Sequence, residues 1–175
     1  MKIKTGLILC AGFGKRVQPI TDTLPKPLIV YKNITLLENT INFLIKLKID
    51  KIKINVFYLK DQITNFIKNK NFPVNIEIID DGETILGTGG GILNLIKSSE
   101  EDDALVINPD TIWDNSYISS INKMEEIYFE KKIKNILLIV NNAFCFDKRF
   151  NGDFEIKNNI LLKEKINNFK YTGCQ

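Results

Sequence analysis

Thr5-Gly-Leu-Ile-Leu-Cys10, followed at once by Ala11-Gly12-Phe13-Gly14-Lys15-Arg16, is the stretch that decides the architecture. A short apolar run that stops at a glycine loop reads as a strand buried on both faces, the habit of parallel sheets covered by helices. Glycines at 12 and 14 directly after that strand let successive backbone N–H groups turn inward and cradle phosphate oxygens, where a side chain would block the approach. Gly-x-Gly alone is a weak sign. Position 17 is Val where the dinucleotide-binding fingerprint needs Gly, and the P-loop pattern is missing, so a tight turn without ligand stays open on these residues alone.

Downstream, Leu36, Leu37, Ile41, Leu44, Ile45 and Leu47 recur at helical spacing across 35–48, with Thr35 and Glu38 as a capping-box pair. Alternating charged and apolar residues at 51–57 predict a strand, and Ile63, Phe66 and Ile67 share a helical face within 61–69. The rhythm continues with a strand at 74–79, a glycine-rich turn and helix at 88–97, a strand at 104–108, a helix at 117–131 and a strand at 135–140. Such alternation predicts an α/β fold, a mostly parallel Rossmann-like sheet with helices on both faces. After Asn141 the pattern changes. Segments 153–157 and 160–165 flank Asn158-Asn159, a pair suited to positive φ, and predict a small antiparallel β appendage, with a further strand at 169–175. No repeat, linker or second boundary interrupts the 175 residues, which read as one domain.

Composition narrows the chemistry. A balance of 24 Lys and Arg against 21 Asp and Glu leaves +3, too little and too scattered for a nucleic-acid surface. Cys10, Cys145 and Cys174 are widely separated, with no CxxC pair and no histidine to complete a zinc site. No apolar run approaches a membrane span, and the start lacks the features of a signal peptide, so a cytoplasmic protein with reduced thiols is expected. The lack of histidine removes serine-triad and imidazole acid–base catalysis. What remains is phosphate positioning, charge neutralisation and carboxylate chemistry. Trp113 and the Phe residues, not interleaved with basic residues, are expected to be core or rim packing.

The continuation Arg16-Val-Gln-Pro-Ile-Thr-Asp-Thr-Leu-Pro-Lys-Pro-Leu28 resembles, in register with the glycine loop, the signature of the sugar-1-phosphate nucleotidyltransferases. The resemblance implies the nucleotide-diphospho-sugar transferase fold, with a nucleoside triphosphate and a sugar 1-phosphate as substrates and Mg²⁺ as cofactor. It places Ala11 and Gly12 against base and ribose, Gly14, Lys15 and Arg16 at the β and γ phosphates, and Lys26 at the α-phosphate or sugar phosphate. Two prolines fix the backbone at Lys26, which presents its ammonium at low entropy cost. Leu86-Gly-Thr-Gly-Gly-Gly-Ile92 resembles the family's base-recognising segment, implying contacts from Gly87, Thr88 and Gly89, with Glu83 as the acidic residue ahead of it.

Asn108-Pro109-Asp110 resembles the family's Asn-Gly-Asp, with proline in place of glycine, and implies that Asp110 ligates Mg²⁺. A hard cation bridging phosphate oxygens through one or two carboxylates suits this chemistry. A second Asp, late in the family's chains, has no counterpart here, so the domain is expected to lack the family's C-terminal segment or to hold metal through Asp110 and phosphates alone.

Gly152-Asp-Phe154 and Tyr171-Thr-Gly-Cys-Gln175 resemble the N-acetylmuramate 1-phosphate uridylyltransferases of bacterial cell-wall recycling, implying UTP as nucleotide. By the same resemblance Asn108, Gly152, Asp153, Glu164 and Thr172 would line the sugar pocket. Guanylyltransferases acting on mannose or heptose 1-phosphate share nearly all these motifs, and a non-catalytic nucleotide-binding module would keep the glycine loop. The expected partners are small molecules, with no nucleic acid or membrane, and the assembly a monomer or homodimer.

Overall fold

A computed structural model describes residues 2–99, 103–145, 151–158 and 160–175. Its elements run in the order β1 (Thr5–Leu9), β2 (Val30–Tyr31), β3 (Ile34–Thr35), α1 (Leu36–Lys46), β4 (Lys51–Val56), α2 (Lys60–Asn69), β5 (Asn75–Asp80), α3 (Gly87–Lys97), β6 (Ala104–Ile107), α4 (Tyr117–Lys131), β7 (Leu138–Asn141), β8 (Glu155–Lys157), β9 (Ile160–Leu162) and β10 (Phe169–Cys174). The main sheet has the order β5-β4-β1-β6-β10-β7, parallel across β5, β4, β1 and β6.

Alternation along each central strand sorts side chains to two faces. Ile8, Ile52, Ile54, Leu105 and Ile107 join one core with Leu37, Ile41 and Leu44 of α1, Ile63 of α2, and Ile121 and Met124 of α4. On the opposite face Leu7 and Val106 pack on Leu95 of α3. The polar residues of β4 share that second face. Lys53 is fully buried, its ammonium donating to the Ser98 carbonyl and to Ser98 Oγ at 3.0 Å, with Glu77 at 3.4 Å. Among the described residues α3 is the single helix on this face, so Leu93 and Ile96, which the sequence pattern assigns to a core, are 52% and 41% exposed.

Helix α1 begins as expected, Thr35 Oγ1 accepting from the Glu38 N–H at 3.1 Å. Three features depart from the sequence reading. The strand expected at 135–140 is confined to Leu138–Asn141. It does not extend the parallel run, because β10 inserts between β6 and β7, antiparallel to both. The small β2–β3 hairpin carries no turn signal strong enough to announce it. The β8–β9 appendage is present, with Asn158 at φ 50 and Asn159 outside the described residues.

Candidate functional site

The order of connections creates the site. From β1 the chain passes by α1 to β4 and then β5 on one side, and by α3 it returns to β6 on the other side of β1. Strand order therefore reverses at β1 and β6, and the crevice beyond their carboxyl ends is where open α/β sheets bind ligands. There a cleft of about 390 Å³ is lined by the glycine loop, Lys26-Pro27, Asn55, Ile85, Gly87-Thr88 and Asn108-Pro109-Asp110.

The loop after β1 is held by backbone geometry. Gly14 sits at φ +66, where a Cβ would lie 2.8 Å from Thr21 Cγ2 and 3.3 Å from Lys26 Cβ. Thr21 is buried and its hydroxyl donates to the Gly14 carbonyl at 3.0 Å. The glycine loop thus leans directly on the segment that carries Lys26. That lysine opens a short 3₁₀ turn between Pro25 and Pro27, both buried, closed by the Leu28 N–H to Pro25 carbonyl bond of 2.8 Å.

Across the cleft, the Lys26 ammonium donates to Asp110 Oδ2, joining residues 84 positions apart. Both side chains stay partly exposed, at 25% and 35%. Asn108 is set by its N–H to the Gly173 carbonyl at 2.7 Å and by the Trp113 indole N–H to its own carbonyl at 2.9 Å. Trp113 is buried and stacks on Phe43 at 5.6 Å, so the sequence reading of it as packing holds. Lys15 and Arg16 are exposed on the cleft, and no described carboxylate pairs with either. With Lys26 they make its charge cationic, matched to a polyphosphate. Helix α3 adds its N-terminus, where Gly87 and Thr88 line the cleft without a capping side chain.

The Lys26 ammonium stands where a cation would meet Asp110, and no cluster of three or more Cys, Asp or Glu side chains able to hold a metal exists among the described residues. One carboxylate beside a phosphate site fits a magnesium ion that takes its remaining ligands from substrate and water.

Of the sequence-predicted residues, the cleft unites Ala11, Gly12, Gly14, Lys15, Arg16, Lys26, Gly87, Thr88, Asn108 and Asp110. Glu83 and Gly89 are exposed outside its lining. Gly152, Asp153, Glu164 and Thr172 also lie outside the lining, each with a local partner. The Gly152 N–H donates to the Asn167 carbonyl at 2.9 Å, and Asp153 accepts from the Tyr171 N–H at 2.9 Å. Glu164 pairs with Lys157 at 2.8 Å, and the buried Thr172 hydroxyl donates to the Leu138 carbonyl at 2.9 Å. Cys174 pairs with Ile107, so the antiparallel β10 carries Phe169–Thr172 past the end of β6, on the edge that holds the cleft.

Sequence reasoning missed Asn55. It is 2% exposed, lines the cleft from the end of β4, and bonds both Cys10 and Asp81. Its one signal was a polar residue inside an Ile-rich strand, which solvent exposure would equally have explained. Burial pushes the Cys10 thiol well above the ordinary thiol range, with the Asp110 charge a lesser cause. Its sulfur therefore stays protonated and inert beside the site.

A doubly sided, mostly parallel sheet with a cationic glycine-loop cleft at its strand-order reversal defines an open α/β protein whose candidate ligand site is that cleft. Residues 5–146 match the nucleotidyl transferase family, and the chain belongs to it. It is 34% identical to the bifunctional protein GlmU of Methanococcus aeolicus over 171 residues, 94% of this chain and 36% of that protein. It is 23% identical to the N-acetylmuramate alpha-1-phosphate uridylyltransferase of Caulobacter vibrioides over 165 residues, 93% of this chain and 68% of the relative. The fold matches the crystal structure of HddC from Yersinia pseudotuberculosis with a TM-score of 0.73 at 22% identity, over 98% of this chain and 75% of that one. The chain thus spans about a third of the GlmU relative's length. Among the described residues no helix is long and apolar enough to cross a membrane.

Proposed function

We propose that this chain is the nucleotidyl-transfer domain of a sugar-1-phosphate nucleotidyltransferase. It joins a nucleoside triphosphate, UTP by preference, to a sugar 1-phosphate of the N-acetylmuramate kind and releases pyrophosphate. The observation that carries the reading is the meeting of Lys26 and Asp110 across a cleft that the glycine loop and the start of α3 also line.

The chemistry needs little from the protein beyond placement and charge. A phosphate oxygen of the sugar phosphate is already ionised at neutral pH, so it attacks the α-phosphorus in line without a general base, in keeping with a chain that has no histidine. Gly12 and Gly14 leave room for the polyphosphate, Lys15 and Arg16 hold its β and γ oxygens, and Lys26 meets the α-phosphate where charge develops. Substrate draws Lys26 off Asp110, which frees that carboxylate. A magnesium ion bound at Asp110 would neutralise phosphate charge and orient the leaving pyrophosphate. Positioning and preorganised charge account for the rate, each contact being worth roughly 10²- to 10³-fold. The sugar is met by Gly152 and Asp153 ahead of β8, Glu164 after β9, and Thr172 on β10 of the main sheet. The cytoplasm, where reduced thiols and both substrates coexist, is the proposed location.

Purified protein tested with UTP, GTP and CTP against a panel of sugar 1-phosphates should release pyrophosphate, with UTP and N-acetylmuramate 1-phosphate fastest. Lys26→Ala and Asp110→Ala should each lower the rate at least 10²-fold. Undiminished turnover in either variant removes the assignment, and a faster reaction with GTP moves it to the guanylyltransferases. Triphosphate binding with no pyrophosphate from any pair reduces the chain to a nucleotide-binding module.

A further inference from the structure

Behind the cleft lies a polar chain with a fixed direction. Asn55 Oδ1 accepts from the Cys10 N–H at 2.9 Å, and Asn55 Nδ2 donates to Asp81 Oδ2 at 2.8 Å. Asp81 Oδ1 in turn accepts from Asn94 Nδ2 at 2.9 Å. Asn55 is 2% and Asp81 8% exposed, so water does not substitute for these bonds. The chain links every segment that builds the nucleotide side of the cleft: the start of the glycine loop, the end of β4, the turn after β5, and α3. Gly91 lets α3 press onto it, since a Cβ there would lie 2.6 Å from Asn55 Nδ2. Cys10 immediately precedes Ala11 and Gly12, so the residue anchored by Asn55 is the one from which the phosphate loop departs.

The direction follows from donor and acceptor count. A carboxylate accepts only, so Asp81 must receive from both amides. That turns the Asn55 NH₂ toward Asp81 and leaves its oxygen for the Cys10 N–H. We propose that Asn55, Asp81 and Asn94 form a positioning relay whose donor–acceptor polarity sets the glycine loop for the triphosphate, so that nucleotide affinity depends on the polarity of the relay rather than on the presence of the side chains. The inference rests on the nucleotide-binding reading above.

Polarity can be broken and restored at nearly constant volume. In Asp81→Asn, one N–H is left facing another donor, at Asn55, at Cys10 if Asn55 turns over, or at Asn94, which relieves it only by turning its own oxygen toward the Asp80 carbonyl that it now donates to at 3.3 Å. In Asn55→Asp, two carboxylates oppose each other. In the double variant Asn55→Asp/Asp81→Asn every bond reforms: the new carboxylate accepts from Cys10 and from the amide at 81, whose oxygen accepts from Asn94. Each single variant should raise the Kd for UTP about tenfold, the effect of one unsatisfied buried group, and raise KM more than it lowers kcat. Exchange of the Cys10 amide proton should quicken on the order of tenfold in each. The double variant should return Cys10 exchange to within about threefold of the parent and recover most of the UTP affinity lost in Asn55→Asp, although its carboxylate now lines the cleft, a rescue that a network acting through side-chain volume alone does not give. Singles that bind UTP and protect Cys10 as the parent does, or a folded double variant that recovers neither, would overturn the relay. If a single variant does not fold, the double variant's recovery of both readouts still decides between the two. If the unaltered protein binds no triphosphate, the functional reading fails on its own, while Cys10 exchange continues to test the relay.

Discussion

Gly12 and Gly14 are two residues apart in one loop, and replacing each by alanine should fail in opposite ways. At Gly14 the backbone has φ +66, which costs an alanine about 1–2 kcal/mol. Its Cβ would also arrive 2.8 Å from Thr21 Cγ2 and 3.2 Å from Thr21 Cβ. Thr21 cannot retreat cheaply, being buried, with its hydroxyl held by the Gly14 carbonyl and its own carbonyl accepting from Tyr58 Oη at 2.8 Å. Overpacking of that kind adds roughly 1–3 kcal/mol. Gly14→Ala should therefore lose about 2–5 kcal/mol, a fall of about 1–2.5 M in the urea midpoint at a denaturant slope of about 2 kcal/mol/M. At Gly12 a Cβ meets nothing within 4 Å and points into open space on the cleft. Gly12→Ala should leave stability within about 0.5 kcal/mol of the parent and weaken triphosphate binding at least tenfold by filling the phosphate seat. Urea unfolding followed by Trp113 fluorescence, beside a UTP titration, separates the two. A Gly14→Ala protein with the parental midpoint, or a Gly12→Ala protein with parental affinity, would refute the loop geometry or the location of the phosphates respectively.

Alkaline pH should destabilise the fold through its buried thiols. Burial pushes Cys174 up to about 12 and Cys10 higher still. Both hold their protons longer folded than unfolded, so their stabilisation is full below the ordinary thiol range near 8.5 and declines as pH rises through it, by about 1.4 kcal/mol per pH unit for each thiol. Urea midpoints between pH 8 and pH 10 should slope less steeply in Cys10→Ala/Cys174→Ala, and an unchanged slope would count against the assignment. Trp113→Phe should keep the stack on Phe43 and lose the indole bond to the Asn108 carbonyl, costing about 1–2 kcal/mol and lowering turnover by loosening the strand end that carries Asp110. Calorimetry with the pyrophosphate assay checks both, and full activity at reduced stability would detach Trp113 from the site.

The amino-acid order alone determined the strands and helices that rest on local periodicity. β1 ends at its glycine loop, α1 starts at the Thr35 cap, and α4 occupies the residues its apolar spacing marks, because each depends on contacts a few residues away. The glycine loop and Pro25-Lys26-Pro27 were legible as a candidate phosphate site through the resemblance they carry, and the fold brings both to one cleft. Tertiary structure alone decided what lies far apart in the chain: the meeting of Lys26 with Asp110, the insertion of β10 between β6 and β7, and the partners of Asn55. No local pattern announces these, since strand pairing and buried polar bonds are selected by the packing of the whole sheet. Lys53 and Asn55 show the reason most directly. Their alternation with isoleucine reads as a solvated face, yet α3 covers that face and turns both side chains into buried, fully bonded groups.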